Sequence, residues 1–204
     1  MSLHFHSLAL KEVRQETADC VSLLFTVPET LQSTYQFLPG QNLTLKTMVG
    51  GQEVRRSYSI CSAPHEKELR VAIKKVEGGV FSGYANEKLK AGDTLEVMPP
   101  TGKFNTPLHA SQSKNYLMIA AGSGITPILS LVKSILYTEP ASTVTMLYGN
   151  RSRSSIIFFE ELEQLKNRYI ERFNLIHVLS REKTDSPLQM GRIDEEKLAT
   201  LQRL

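Results

Sequence analysis

The chain has 204 residues, enough for two modest domains or one large one with a sizeable core. Its composition is ordinary for a globular protein, 41% hydrophobic and 22% charged, and its net charge of +3 is too small and scattered to argue for a nucleic-acid partner. Its two cysteines, Cys20 and Cys61, argue against a disulfide scaffold, make the cytoplasm the expected compartment, and cannot supply the four thiolates of a plant-type iron–sulfur cluster. No apolar run approaches the length of a membrane span, so no membrane association is expected.

The first hundred or so residues give short strands broken by turns. H-F-H-S-L-A-L alternates, C-V-S-L-L-F-T-V-P follows, and Q-N-L-T-L-K-T alternates after Pro39-Gly40. L-R-V-A-I-K-K-V and D-T-L-E-V-M come later, with breakers at Gly50-Gly51, Pro64, Gly78-Gly79, Gly92 and Pro99-Pro100. This spacing predicts a closed, antiparallel, six-stranded Greek-key β-barrel, interrupted by one short helix around Ser82 to Leu89.

Within that stretch, R-R-S-Y-S-I at 55–60 is unusual for a strand. Alternation puts Arg56 and Tyr58 on one face and Arg55, Ser57 and Ser59 on the other. An arginine fork beside a phenol ring suits a ligand with both a pyrophosphate and a flat ring. A charged edge strand that wards off aggregation is the competing reading of these six residues alone. G-G-V-F-S at 78–82 is a second candidate anion site, built from backbone donors and Ser82, or else a flexible hairpin loop leading to a capped helix.

After the polar stretch Leu108 to Asn115 the rhythm changes. Y-L-M-I-A-A is a continuous apolar run, predicting a strand buried on both faces. G-S-G-I-T-P follows, with Thr126 expected to cap a helix that has Pro127 at its first position and Ile128, Leu129, Val132, Ile135 and Leu136 on one face. V-T-M-L-Y-G, a helix carrying Phe158, Leu162, Leu165 and Tyr169, the strand F-N-L-I-H-V-L-S and a last helix capped by Asp194 complete an α/β unit with a small parallel sheet. A glycine-rich strand-to-helix turn such as Gly122–Gly124 aims backbone N–H groups and the helix dipole at one point, a phosphate cradle, though a turn with no ligand has the same pattern. Arg151, Ser180 and Arg181 lie at the following strand ends, where arginines suit a 2′-phosphate and favour NADPH over NADH.

These segments, in this order, resemble the ferredoxin–NADP reductase family. Arg56-Ser57-Tyr58-Ser59 is similar to its R-x-Y-[ST] flavin motif, and Gly79-Val80-Phe81-Ser82 to its G-x-x-S pyrophosphate segment. Pro100-Thr101-Gly102-Lys103-Phe104 matches P-x-G-x-F at the end of the flavin domain, and Gly122-Ser123-Gly124-Ile125-Thr126-Pro127 the pyridine-nucleotide loop. The wording G-G-V-F-S-G-Y-A-N, A-A-G-S-G-I-T-P and Y-G-N-R is most similar to the reductase subunits of phenylacetyl-CoA epoxygenases.

The resemblance implies an FAD-binding domain over 1–108 and an NAD(P)-binding domain over 114–204, with NAD(P)H as the substrate. Electrons would pass to an iron–sulfur domain or protein, or to an oxygenase. By position, Arg56 would bind the FAD pyrophosphate, Ser57 would belong to the cofactor-binding set of the same motif, Tyr58 would stack on the ring, and Ser59 would contact its reactive edge. Lys74 would stand in the place of a ring-proximal backbone contact, with Ile73 beside it among the cofactor-binding residues; Gly79, Val80, Phe81 and Ser82 would hold phosphate, and Gly122, Gly124 and Thr126 would meet the nucleotide. Tyr58, Ser59 and Thr126 are the expected catalytic residues. A strand irregularity is predicted at 58–60, which the Ser59 hydroxyl needs in order to reach the ring, and an unbroken ladder through Ile60 would leave the contact to the Ser59 backbone amide.

The chain departs from the family in having no Cys-Gly-Pro turn and too few cysteines for a ferredoxin domain, so it resembles the flavin domain with half of the nucleotide domain. A non-catalytic flavin-binding or docking module is the alternative reading. His4 and His6 are expected to be surface histidines with no metal, and Cys61 a buried structural thiol.

Overall fold

The structure, a computed structural model, describes residues 4–184 and 186–201. Six strands, β1 (His6–Thr17), β2 (Cys20–Thr26), β3 (Asn42–Val49), β4 (Gln52–Ser59), β5 (Leu69–Lys74) and β6 (Thr94–Val97), form one antiparallel sheet in the order β4-β3-β6-β1-β2-β5. The expected closed barrel is not formed: the sheet is open. Closure requires a continuous ladder between the outermost strands. Here β4 ends at Ser59, and only the isolated bridge from Ile60 to Val71 joins its chain to β5.

Alternation places Leu8, Leu10, Leu23, Leu43, Leu45, Ile73 and Leu95 on the inner face, with Ile60 beside them, all fully buried. Helix α1 (Val80–Glu87) sets Phe81 and Ala85 into the same core. It begins after Gly78, whose φ of +69° turns the chain in a conformation glycine tolerates.

Strands β7 (Asn115–Ala121), β8 (Thr143–Asn150) and β9 (Phe173–Leu179) form the expected parallel sheet, linked by helices α2 (Ile125–Thr138) and α3 (Phe159–Arg168). A last helix, α4 (Glu195–Leu201), is capped as expected, the Lys197 N–H donating to Asp194 Oδ1 at 3.0 Å. Ile125, Leu129, Val132 and Ile135 of α2 share one apolar cluster with Tyr148, with Cys20 and Ala72 of the first sheet and with Cys61 in the loop after β4, so the two sheets meet through a continuous core. Cys61 is the buried thiol expected, and burial pushes its pKa up.

Three local expectations change. β7 is not buried on both faces: it is a sheet edge, and Leu117 and Ile119 are exposed at 53% and 44%. Thr126 does not cap α2, because a 3₁₀ turn at Gly122–Gly124 winds straight into the helix and moves the cap to Gly124. Phe158 precedes α3 as its cap, buried and left-handed at φ +63°.

His177 of β9 lies 6.1 Å from the Tyr148 ring and 5.7 Å from the Phe159 ring, with Glu163 Oε1 at 3.4 Å from Nε2. Burial lowers its pKa from the ordinary 6.5, against the pull of Glu163. The unfolded chain therefore binds the extra proton first. Stability should be full above pH 6.5 and fall as the pH drops from there through the folded pKa. In urea denaturation at about pH 7.5 and about pH 5.5, His177→Phe should show less loss on acidification than the parent.

Candidate functional site

β4 pairs with β3 in unbroken register, from Val49 opposite Gln52 to Asn42 opposite Ser59. The change of partner falls at Ile60 and leaves Tyr58 and Ser59 in the regular ladder. The Ile60 N–H donates to Gln41 O on the β3 side at 2.9 Å, and the Cys61 N–H to Arg70 O on the opposite side at 2.9 Å. Backbone groups alternate in direction along a strand, so the Ser57 and Ser59 amides point off the free edge of β4. The Ser57 hydroxyl is shared with Thr44 Oγ1 at 2.9 Å.

Arg56, Ser57, Tyr58 and Ser59 all line one cavity of ≈ 910 Å³. Tyr58 leans on Phe81, the ring centroids 5.6 Å apart at 39°, and burial pushes its phenol up to about 12, against the nearby Arg56 charge. Tyr58 thus stays a neutral, braced ring at physiological pH. Arg55 points elsewhere, paired with Glu53 at 2.7 Å and lying 5.3 Å from the Phe5 ring.

Gly79, Val80, Phe81 and Ser82 line the opposite wall. The start of α1 carries no side-chain cap, and a helix's first N–H groups have no partner within it. The Ser82 hydroxyl is buried in this turn, accepting from the Val76 N–H at 3.1 Å and donating to Gly79 O at 3.3 Å. A Cβ on Gly79 would come 2.4 Å from Ser82 Oγ, so the turn needs glycine to close over that hydroxyl. The Ile73 side chain lies fully buried in the core, between Ala72 and Lys74, which line the cavity. Lys74 is held by Asp19 Oδ2 at 3.4 Å.

Ser123 and Thr126 come from the far side and line the same cavity as Tyr58 and Ser59. Tyr148 Oη donates to Gly122 O at 2.9 Å, and Thr126 Oγ1 to Ser123 O at 3.1 Å, which fixes the glycine turn. A second cavity of ≈ 590 Å³ continues from the first, sharing Lys74, Ser123 and Arg151 with it. Gly122, Asn150, Ser180, Arg181 and Arg192 also line it, whereas Gly124 lines neither cavity. The ends of β8 and β9 are tied together by the Ser180 N–H to Asn150 O and the Arg181 N–H to Arg151 O. Arg192 arrives by the parallel bridge from Leu179 to Met190, with the Gly191 N–H on Leu179 O at 2.9 Å.

The electrostatics of the two cavities set them apart. Arg14, Arg55 and Arg70 are each held by a carboxylate, but Arg56, Arg151, Arg181 and Arg192 form no ion pair among the described residues. Asn150 Nδ2 is buried without a hydrogen-bond partner among those residues. Unneutralised guanidinium groups fit an anionic, hydrogen-bonding ligand. A further cavity of ≈ 960 Å³, between β1 and α3, sets Arg14 and Arg153 against Glu16, Glu160, Glu161 and Glu182 and offers an anion no net attraction. Among the described residues no group of three or more His, Cys, Asp or Glu stands in metal-binding arrangement.

Sequence reasoning missed Asp19, Asn150 and Arg192. Asn150 stood in Y-G-N-R beside the arginine that was read, while nothing local marks Asp19 or Arg192 as neighbours of these cavities.

The family model of the oxidoreductase FAD-binding domain matches residues 7–106, and that of the oxidoreductase NAD-binding domain matches residues 118–203. The chain is 49% identical over 197 residues to a component of the 1,2-phenylacetyl-CoA epoxidase of Escherichia coli (strain K12), covering 97% of this chain and 55% of that protein. It is 38% identical over 174 residues to the ferredoxin reductase component of 3-ketosteroid-9-alpha-monooxygenase from Rhodococcus rhodochrous, covering 84% and 48%. A crystal structure of a ferredoxin NADP+ reductase from Neisseria gonorrhoeae with bound FAD and NADP superposes with a TM-score of 0.79 at 25% identity, covering 96% of this chain and 76% of that one. The chain spans about half the length of the curated relatives it matches. With both domain models matched in tandem and this homology running along nearly the whole chain, the chain belongs to the FAD- and NAD(P)-binding oxidoreductases of the ferredoxin–NADP reductase type.

Proposed function

We propose that this chain is the flavin- and nucleotide-binding part of an NAD(P)H reductase that delivers electrons to an iron–sulfur centre, in another domain or protein, or to a partner oxygenase. The observation that carries this reading is the meeting of Tyr58, Ser59 and Thr126 in one cavity whose arginines are unneutralised. In this reading residues 1–108 bind FAD and residues 114–204 bind the nucleotide, in a cytoplasmic protein whose Cys20 and Cys61 stay buried thiols. FAD, when bound, supplies a hydride acceptor that releases electrons singly.

The residues present fit that cofactor. Arg56 and the first N–H groups of α1 would hold its pyrophosphate, and Tyr58, braced by Phe81, would offer its ring face. Ser82 would shape the phosphate turn rather than touch phosphate, since its hydroxyl is already engaged. Ser59 would bind the polar edge of the ring by its outward amide. The turn at Gly122 and Thr126 would receive the nicotinamide nucleotide, and Arg151, Arg181 and Arg192 with Asn150 would favour NADPH by holding a 2′-phosphate.

Visible absorption tests the reading. Protein incubated with FAD and desalted should stay yellow, and anaerobic NADPH should bleach it faster than NADH. Colourless protein overturns the flavin assignment, and yellow protein that neither nucleotide bleaches is a flavin-binding or docking module. Arg181→Ala should weaken NADPH binding by about 1.5–3 kcal/mol and leave NADH binding nearly unchanged. Equal effects on the two nucleotides would remove the 2′-phosphate role.

A further inference from the structure

The flavin strand and the nucleotide turn belong to different sheets, so something must set the distance between them. Apolar contact between the sheets is extensive, running through Cys61 and Ala72 to Ile125 and Leu129, but such contact is non-directional and tolerates sliding. A set of directional bonds lies beside it. Ser130, Lys133 and Tyr137 fall on one face of α2, three and then four residues apart. All three engage the loop that continues directly from β4. Ser130 Oγ, fully buried, donates to Ser62 O at 2.7 Å. The Tyr137 ring stacks on His65, centroids 3.9 Å apart and planes within 6°. Lys133 Nζ pairs with Glu66 Oε1 at 3.0 Å and also with Glu161 Oε1 of α3.

The charges alternate across the junction. Glu161 Oε2 reaches Arg14 Nη2 of β1 at 3.6 Å, and Glu66 Oε2 also accepts the Ala63 N–H at 2.6 Å. Arg14 and Glu66 thus belong to the first sheet's half, Glu161 and Lys133 to the second's, and each charge touches one of opposite sign across the boundary. Lys133 is the buried member, its side chain 8% exposed against 31% for Glu66 and 30% for Glu161. Burial disfavours its charge, yet Glu161 and Glu66 outweigh that and hold its pKa above the ordinary lysine value. A buried ion pair is a weak source of stability compared with well-packed apolar groups. In some proteins such buried groups select one register in place of several.

We propose that Lys133 is a positioning residue for electron transfer between the two bound nucleotides: its bonds to Glu66 and Glu161 fix where the Gly122–Thr126 turn stands relative to Tyr58 and Ser59 on β4. Lys133 lies about 10 Å along α2 from Thr126, at 1.5 Å per residue, and touches neither cavity. It acts only through the placement of the helix. The ligands in this proposal rest on the functional reading above, while the clamp itself does not.

The test compares the parent chain with Lys133→Met and with the triple variant Lys133→Met/Glu66→Gln/Glu161→Gln, which leaves no stranded charge and should fold even where the single variant does not. Spin labels on Met48→Cys and Ile170→Cys report the spacing of the two halves. Both positions are exposed, at 58% and 75%, while Cys20 and Cys61 are buried from labelling. The triple variant should show a broadened label-distance distribution and a thermal midpoint close to the parent's. At saturating NADPH its flavin should bleach about 10- to 100-fold more slowly, with FAD affinity held within about twofold. A distribution as narrow as the parent's overturns the clamp, whatever happens to stability. A broadened distribution with the parent's bleaching rate overturns the positioning role. If the chain takes up no FAD, the functional reading fails, and the label distances still decide the clamp.

Discussion

Arg56→Ala should weaken FAD binding by about 1.5–3 kcal/mol, the range for a hydrogen bond to a charged group and roughly 10- to 150-fold in Kd. Arg56 is exposed on an edge strand, and among the described residues its one side-chain hydrogen bond goes to the neighbouring Arg55 O, at 2.7 Å. Its removal leaves no cavity and strands no carboxylate, so folding stability should move by less than about 0.5 kcal/mol. Fluorescence titration of FAD into the apoprotein measures the affinity, and urea denaturation measures the stability. Arg55→Ala is the internal control, since Arg55 is committed to Glu53 and Phe5 and should leave FAD affinity alone. Equal affinity for parent and Arg56→Ala would remove Arg56 from the pyrophosphate site.

Gly40→Ala should have the largest effect on stability, above about 3 kcal/mol. The residue sits at φ +89°, and a Cβ there would lie 1.9 Å from the backbone oxygen of Phe104. The backbone conformation alone costs an alanine about 1–3 kcal/mol, and a carbonyl cannot swing aside as a side chain can. Phe104 would have to move with the segment from Thr101, which is bonded to Asn42 in both directions at 2.8 and 2.9 Å. Asn42 is the β3 residue opposite Ser59, so the disturbance should reach the flavin strand and weaken FAD retention as well. Gly83→Ala is the contrasting case, because a Cβ at this α1 position meets nothing within 4 Å. It should raise stability by about 0.4–1 kcal/mol. A Gly40→Ala protein with the parent's midpoint in thermal denaturation would show that the Phe104 segment yields freely.

Much of this arrangement was legible in the sequence. Strand alternation identified β1 to β6, and the switch to strand–helix alternation identified the parallel sheet, because both follow from local periodicity. R-R-S-Y-S-I and G-S-G-I-T-P marked the two walls of one cavity, since each joins an unusual side-chain set to a predictable backbone. What failed depended on partners distant in sequence. Whether β4 and β5 join is decided by where each ends, and no residue within either strand records it. The apolar run of β7 looked like a central strand because hydrophobicity reports the tendency to be covered, not the presence of a cover. Arg192 joined the site only because Met190 pairs with Leu179, a contact no local pattern encodes.

Because the sheet stays open, β4 keeps a bare edge. Such a strand is a template for another chain, and the outward amides of Ser57 and Ser59 make β4 one. A flat ring with a polar rim can occupy that edge as a seventh strand would, capping the sheet by hydrogen bonds where barrel closure does not. In the proposed reading Arg56 serves in two states, repelling other chains while the edge is bare and drawing in the anionic cofactor that would cover it. On the same reading flavin loading would cover that edge, and the apoprotein should be the form more prone to self-association.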